Sequence, residues 1–309
     1  MYAEAQTTFD AISGSRSALS AFPGGWDYHR NRHCIWVVSP IGYVHSRAFE
    51  EVALGLHYAF DELGGRAPLI SEPSNWNGRI PIVFGANLLP AEAAGWLPKG
   101  TILVNLEQVS KESSWISGAY VGLLRQFPVL DYSARNRDEL YRLGITHAGL
   151  LRVGYNSGLT RIAHAPVKDI DVLFYGSLNE RRRDLLRALQ NAGLNVANLF
   201  GVYGAERDAI IARSKIVINI HHFDAQVFEI VRVSYLLANR VCVLTEGYAD
   251  DPDMAPYVEG LAFAPYGDLV ERCLSLIENQ GERDLLAERG FEIMSGISQS
   301  AILREAIGR

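Results

Sequence analysis

The sequence predicts an α/β protein built from two Rossmann-like domains facing a cleft. Short apolar, β-prone runs alternate with stretches of helical periodicity along most of the 309 residues. The first strong run, Cys34 to Pro40, passes through a glycine-bearing turn into a helix, which is how a Rossmann-like unit opens. The alternation lapses over 156–168, where Gly158, His164 and Pro166 fall, and restarts at Asp169. Two successive halves of similar size follow from that break.

Residues 1–30 are weakly patterned around Pro23-Gly24-Gly25 and read as an irregular leader. In the first domain, 31–155, the strand from Cys34 leads to Phe49, Val52, Ala53, Leu56, Ala59, Phe60 and Leu63 at helical spacing. Strands are expected at 67–70, 80–84 and 101–106, and a helix at 115–124. A strand end at 128–133, a short helix at 136–143 stopped by Gly144, and a last run at 150–155 complete this half. After the linker, the second domain, 169–309, repeats the cycle. Strands fall at 170–175, 196–200, 216–220, 241–244 and 261–264, and helices at 180–190, 206–212, 269–277 and 283–307. A further helix-like segment starts at Phe228.

Hydrophobic residues at 48% and charged residues at 21% describe an ordinary globular chain. A net charge of -6 gives no general attraction to a phosphate backbone, so no nucleic-acid partner is expected. Cys34, Cys242 and Cys273 are far apart, and two of them lie in apolar runs; reduced core thiols fit better than a disulfide framework. Met1 to Ser20 lacks a basic start followed by an apolar core, and no run approaches the ~18 apolar residues of a spanning helix. A cytoplasmic location is expected, and peripheral membrane contact is left open. The Gly-x-Gly-x-x-Gly of a dinucleotide site does not occur in the right context.

In open α/β sheets ligands bind outside the carboxyl ends of the strands, so polar residues there are the functional candidates. In the first half, Gly42 permits a close backbone turn, and His45 behind it is a candidate general base, a role histidine as a residue type suits. Asn105, Glu107 and Gln108 end another strand, where Glu107 is a candidate base; Asp131 and Tyr132 at the next strand end are weaker. In the second half, Tyr175-Gly176-Ser177 precedes a helix whose N-terminus suits a phosphate. Arg181, Arg182 and Arg183 point in different directions around that helix, so at least one faces only solvent. Asn219, His221, His222 and Asp224 cluster at the end of the 216–220 strand. Adjacent side chains diverge on a strand and no further ligand has characteristic spacing, so no metal site is expected. A histidine there suits hydrogen bonding to ribose, phosphate or sugar. Glu229 and Arg232, three apart on a helix, either pair with each other or serve a ligand.

The two-half layout and the run Asn219-Ile-His-His, Phe228-Glu229-Ile-Val-Arg232 and Leu236-Leu-Ala-Asn-Arg-Val-Cys-Val resemble the nucleotide-binding half of GT-B glycosyltransferases. The nearest likeness is to the small bacterial CgeB-like and family-1-type sugar transferases, and it spans about residues 34–300. The resemblance implies transfer of a sugar from a nucleotide-sugar donor to a hydroxylated acceptor in the interdomain cleft, with no metal and no cofactor beyond the donor. UDP, GDP and dTDP all fit as the nucleotide. By the same likeness Tyr175, Gly176 and Ser177 contact the donor phosphates, with His221 or Arg232 near the diphosphate. Asn219, His222 and Phe228 line the donor site, Glu229 holds ribose or sugar hydroxyls, and His45 or Glu107 deprotonates the acceptor. The Glu-x7-Glu pair of many retaining members is missing: Gln226 and Ser234 stand at the two positions. Stereochemistry is thereby left open. A nucleotide-sugar epimerase or hydrolase, or an inactive nucleotide- or glycan-binding homologue, is the alternative.

Overall fold

A computed structural model describes residues 19–110, 113–222 and 228–308. The chain forms two compact units, Met1–Val153 with Gln299–Arg309, and Gly154–Ser298.

The first unit carries strands β1 (His33–Val37), β2 (Leu69–Ile70), β3 (Ile80–Phe84), β4 (Ile102–Asn105), β5 (Val129–Asp131) and β6 (Gly149–Leu150) in the order β2-β1-β3-β4-β5-β6. Every pairing is parallel. Parallel strands covered on both faces read as continuous apolar runs, which is why β1, β3 and β4 are legible in the sequence. Successive side chains alternate between faces. Ile35, Ile82 and Ile102 meet Leu56 and Phe60 of helix α2 (Glu50–Glu62) on one side. Trp36, Val83 and Leu103 meet Tyr120 and Leu124 of α3 (Gly118–Leu124) and Leu140 of α4 (Ala134–Arg142) on the other.

The second unit carries β7 (Ile170–Tyr175), β8 (Val196–Leu199), β9 (Ser214–Asn219), β10 (Val243–Glu246) and β11 (Ala262–Ala264), in the order β11-β10-β9-β7-β8 and again all parallel. Helices α5 (Glu180–Asn191) and α8 (Leu269–Glu278) bury leucines against one face. Helices α6 (Gly204–Ala212), α7 (Ile230–Ala238) and α9 (Gln280–Ser295) cover the other. Within each unit the chain order reverses next to the first strand: β1 lies between β2 and β3, and β7 between β8 and β9. This reversal opens a crevice at the carboxyl ends of β1 and β3, and of β7 and β9.

Three expectations change. Residues 1–18 lie outside the described residues, but 19–30 are not an irregular leader. They include helix α1 (Gly25–His29), bury Phe22 and His29, and set His29 Nδ1 2.8 Å from His33 Nε2. The 156–168 segment is part of the second unit rather than a loose linker. The Asn239 side chain accepts from the amides of Arg161 and Ile162 at 2.7 and 2.9 Å, and Thr160 Oγ1 donates to the Ala238 carbonyl at 2.8 Å. Residues 283–307 are two helices, and the second, α10 (Gln299–Gly308), belongs to the first unit, where Leu303 and Ile307 complete the core around Phe60. The second unit therefore ends at Ser298, not at residue 309.

Candidate functional site

In the second unit the polar groups at the β7, β9 and β10 ends form one connected network. Asn219 closes β9 fully buried, and its amide does three things at once. Its nitrogen donates to Glu229 Oε2 and to Thr245 Oγ1, each at 3.0 Å, and its oxygen accepts from Arg232 Nη1 at 2.9 Å. Glu229 and Arg232 are thus joined through Asn219 rather than by a direct helical ion pair. His221 Nδ1 stands 2.9 Å from Glu229 Oε2, close enough for an ion pair although not aligned as a hydrogen bond. Glu229 is only 12% exposed, yet its Oε1 has no hydrogen-bond partner among the described residues; Arg182 Nη2 stands 3.8 Å from it.

Gly176 follows β7 with φ +142°, a conformation that favours glycine. A Cβ there would come within 2.9 Å of Arg232 Nη2, so the glycine is what lets the guanidinium lie against the backbone. Tyr175 before it places its ring centroid 5.4 Å from the same guanidinium, while Ser177 is exposed.

Helix α5 starts beside this turn. Asn179 caps it, accepting from the Arg182 amide at 3.0 Å and donating to the His222 carbonyl at 3.0 Å. The three arginines separate cleanly. Arg181 forms a bidentate pair with buried Glu246, lies 3.8 Å above the Tyr266 ring, and belongs to a frame in which the His221 amide donates to Glu246 Oε2 at 3.1 Å. Arg182 is buried and donates to the carbonyls of Ile220 at 3.0 Å and Ser177 at 2.9 Å. Arg183 is exposed.

Burial acts against both charges of the central pair and is outweighed. It pushes Glu229 up, but His221, Arg232 and Asn219 bring its carboxyl below the ordinary value. It pulls His221 down, but Glu229 and Glu246 hold the imidazole above its ordinary value. Burial and neighbouring Arg182 keep His222 low, and burial takes Arg182 down to about 10, which still leaves it charged at neutrality. The two histidines turn to different partners, His221 to Glu229 and His222 to Arg182 at 3.3 Å. Asp224 and Gln226 lie outside the described residues. Phe228 is a correction: it is 2% exposed and packs on Tyr257 in the core, so it lines no ligand site. Asn219 likewise holds other site residues instead of presenting itself. Arg182 and Glu246 escape a reading of the sequence. Three identical arginines carry no mark of which one is buried, and Glu246 reads as loop because β10 sits two residues later than expected.

In the first unit Gly42 has φ +78° at an exposed turn, which leads through Tyr43 into a short 3-10 helix, Val44–Phe49, carrying His45. The His45 ring meets the Tyr43 ring edge-on at 5.3 Å. Glu107 follows β4. Its backbone is held by Asn105 and Asn136, whose amides both donate to its carbonyl at 2.9 Å. Its carboxylate receives one hydrogen bond among the described residues, from Asn87 Nδ2 at 3.2 Å. Burial pushes Glu107 up to about 7, against the smaller opposing effect of Asn87. Asp131 is fully buried, accepting from Asn105 at 2.7 Å and from the Ser133 amide at 2.8 Å, and Tyr132 is 6% exposed. Both are internal supports. Asn87 and Tyr43, beside Glu107, are the residues that sequence reasoning misses; each follows a strand end, which is the one signal the sequence offers.

No protein-family model matches the chain. Uncharacterized protein L140 of Acanthamoeba polyphaga mimivirus is 29% identical over 187 residues, covering 58% of this chain and 59% of the viral protein. The chain therefore spans less than two thirds of that relative, and the relatives are viral where the resemblance implies bacterial ones. Among solved structures, Anabaena Alr3699/HepE in complex with UDP and glucose superposes with a TM-score of 0.61 at 11% identity, covering 89% of this chain and 98% of HepE. TarM gives 0.54 at 13%, covering 83% and 57%. AviGT4, a glycosyltransferase involved in avilamycin A biosynthesis, gives 0.54 at 14%, covering 85% and 89%. The fold is that of the GT-B glycosyltransferases. At these identities the likeness establishes architecture alone. Among the described residues no helix is long and apolar enough to cross a membrane.

Arg182 and Arg183 should part sharply on substitution. Removing the buried cation leaves Glu229 and two carbonyls short of a partner, so Arg182→Ala should cost about 3–5 kcal/mol in urea unfolding. Arg183→Ala should stay within about 0.5 kcal/mol; equal effects would contradict the assignment. The Glu229–His221 pair also sets a pH window. The lowered carboxyl contributes stability present above pH 4.5 and lost as pH falls through its folded value. The raised imidazole contributes stability present below pH 6.5 and lost as pH rises through its folded value. The stability difference between wild type and Glu229→Gln should therefore be greatest between pH 4.5 and 6.5, and a flat difference would refute the pairing.

Proposed function

We propose that the chain transfers a sugar from a nucleotide-sugar donor, taken by the second unit, to a hydroxyl acceptor taken by the first, without a bound metal. The observation that carries this reading is Glu229. A nearly buried carboxylate with one oxygen unpartnered among the described residues, at the start of a helix and next to arginines, is costly unless a ligand completes it. Ribose or sugar hydroxyls are the donors it lacks. Arg232, placed against the Gly176 turn, supplies charge to a departing diphosphate, and the N-terminus of α7 adds its dipole.

The reaction needs little more. The acceptor oxygen attacks the anomeric carbon, the bond from that carbon to the phosphate oxygen breaks, and the acceptor proton passes to a base. Glu107 suits that role, because a carboxylate brought up to about 7 takes a proton with useful driving force at neutral pH. His45 is the second candidate. The fold supports the reading at a general level: HepE is solved with UDP and glucose, and a mutant of T4 phage BGT, TM-score 0.53, with UDP-glucose.

A thermal-shift panel of UDP-, GDP-, dTDP- and CMP-linked sugars tests it. One nucleotide class should stabilise the chain, by about 2.7 kcal/mol at a hundredfold excess over Kd. That shift should vanish in Glu229→Ala and Arg232→Ala chains that keep the wild-type circular dichroism. Absence of any shift overturns the donor site, and consumption of the sugar nucleotide without an acceptor makes the chain a hydrolase or epimerase instead.

A further inference from the structure

The carboxyl end of the first unit's sheet carries more than a base. Tyr43 and Trp115 meet at 61° with ring centroids 6.5 Å apart, which makes an aromatic corner, and Trp115 is 40% exposed. The two rings come from different loops, after β1 and after β4, two strands that β3 separates in the sheet. Burial, and after it the charge of Glu107 on the loop following β4, raises the Tyr43 phenol above its ordinary value. On the same β4 loop the buried hydroxyls of Ser110 and Ser113 have no hydrogen-bond partner among the described residues, and Ser113 is only 7% exposed. Buried hydroxyls without partners are uncommon and mark a place where a polar ligand or water completes the structure. Aromatic faces set beside carboxylate, amide and hydroxyl groups form a mixed surface: apolar for C–H groups, polar at its edge.

We propose that this corner is a saccharide subsite, in which the Tyr43 and Trp115 rings take the C–H face of a pyranose while Glu107 and Asn87 take its hydroxyls, so that the acceptor is itself a sugar. A pyranose matches because its ring carries C–H groups on its faces and hydroxyls around its rim. A purely apolar ligand would leave the Glu107 carboxylate, which receives one hydrogen bond among the described residues, short of partners, at about 1–3 kcal/mol for a buried group. The proposal rests on the transferase reading for its meaning but not for its test.

Saturation-transfer NMR on the full chain without any nucleotide, using the methyl α- and β-pyranosides of glucose, galactose, mannose and N-acetylglucosamine, reads it directly. At least one glycoside should receive saturation strongest at its ring C–H protons. The signal should fall at least fivefold in Trp115→Ala and in Tyr43→Ala, and persist in Tyr43→Phe and in Glu229→Ala. Saturation of no glycoside overturns the subsite, as does a signal indifferent to both aromatic substitutions. Flotation with phosphatidylethanolamine–phosphatidylglycerol vesicles that is lost on Ile41→Ser and Val44→Ser, without glycoside saturation, makes the exposed loop a lipid contact and also overturns it. If glycosides bind while no sugar nucleotide shifts the melting temperature, the saccharide subsite stands and the donor reading alone fails. A nucleotide shift without glycoside binding leaves the donor reading standing and removes the subsite.

Discussion

A single buried amide, that of Asn219, is the constraint on which the second unit's site depends. Its nitrogen fixes a carboxylate and its oxygen fixes a guanidinium, so two opposite charges are held apart at a set spacing. Had Glu229 and Arg232 paired directly, each would have neutralised the other and neither would have had an open position. Held through a third group, the carboxylate keeps one oxygen unpartnered among the described residues. The cost of that arrangement is met locally: His221 and Arg182 supply positive charge, and the backbone around them is tied to Ile220, Ser177 and Glu246. Such networks are stable only when nearly every member is satisfied. The one oxygen left over is therefore where a ligand is expected.

The first unit solves a different problem with the same topology. Its carboxylate, Glu107, is gripped at the backbone and receives one side-chain hydrogen bond among the described residues, and burial raises its pKa. The Glu229 environment favours the ionised form, whereas that of Glu107 leaves it near the balance of both forms. On the proposed reading, one carboxylate holds hydroxyls and the other takes a proton. Two environments pushing carboxyl groups apart in pKa is a recurring way to divide such roles.

Much of the architecture is legible in the sequence because parallel strands covered on both sides must be apolar throughout. Ile216 to Ile220 and Thr101 to Leu106 can hardly be read otherwise. The candidate site is legible to the extent that it follows strand ends: Gly176, His221, Glu229 and Arg232 do converge. What stays hidden is anything decided by a distant partner. Arg182 is the middle of three arginines and differs from Arg183 only in the direction it leaves the helix. Phe228 resembles a site residue by position and goes to the core because Tyr257 is there to receive it. The last helix returns to the first unit because Leu303 and Ile307 fill a gap beside Phe60, a fact that no local periodicity encodes. Segment 156–168 resembles a linker because its order comes from Asn239, some 80 residues away in the case of the Leu159 contact.

If the unpartnered oxygen of Glu229 is a hydroxyl-binding position for the nucleotide donor, the most direct measurement is the difference density of a crystal of this chain grown with a nucleoside diphosphate. A ribose hydroxyl within about 3.2 Å of Glu229 Oε1, with a phosphate oxygen on Arg232, is the predicted result. A nucleotide bound elsewhere on the chain, with Glu229 and Arg232 untouched, would contradict it.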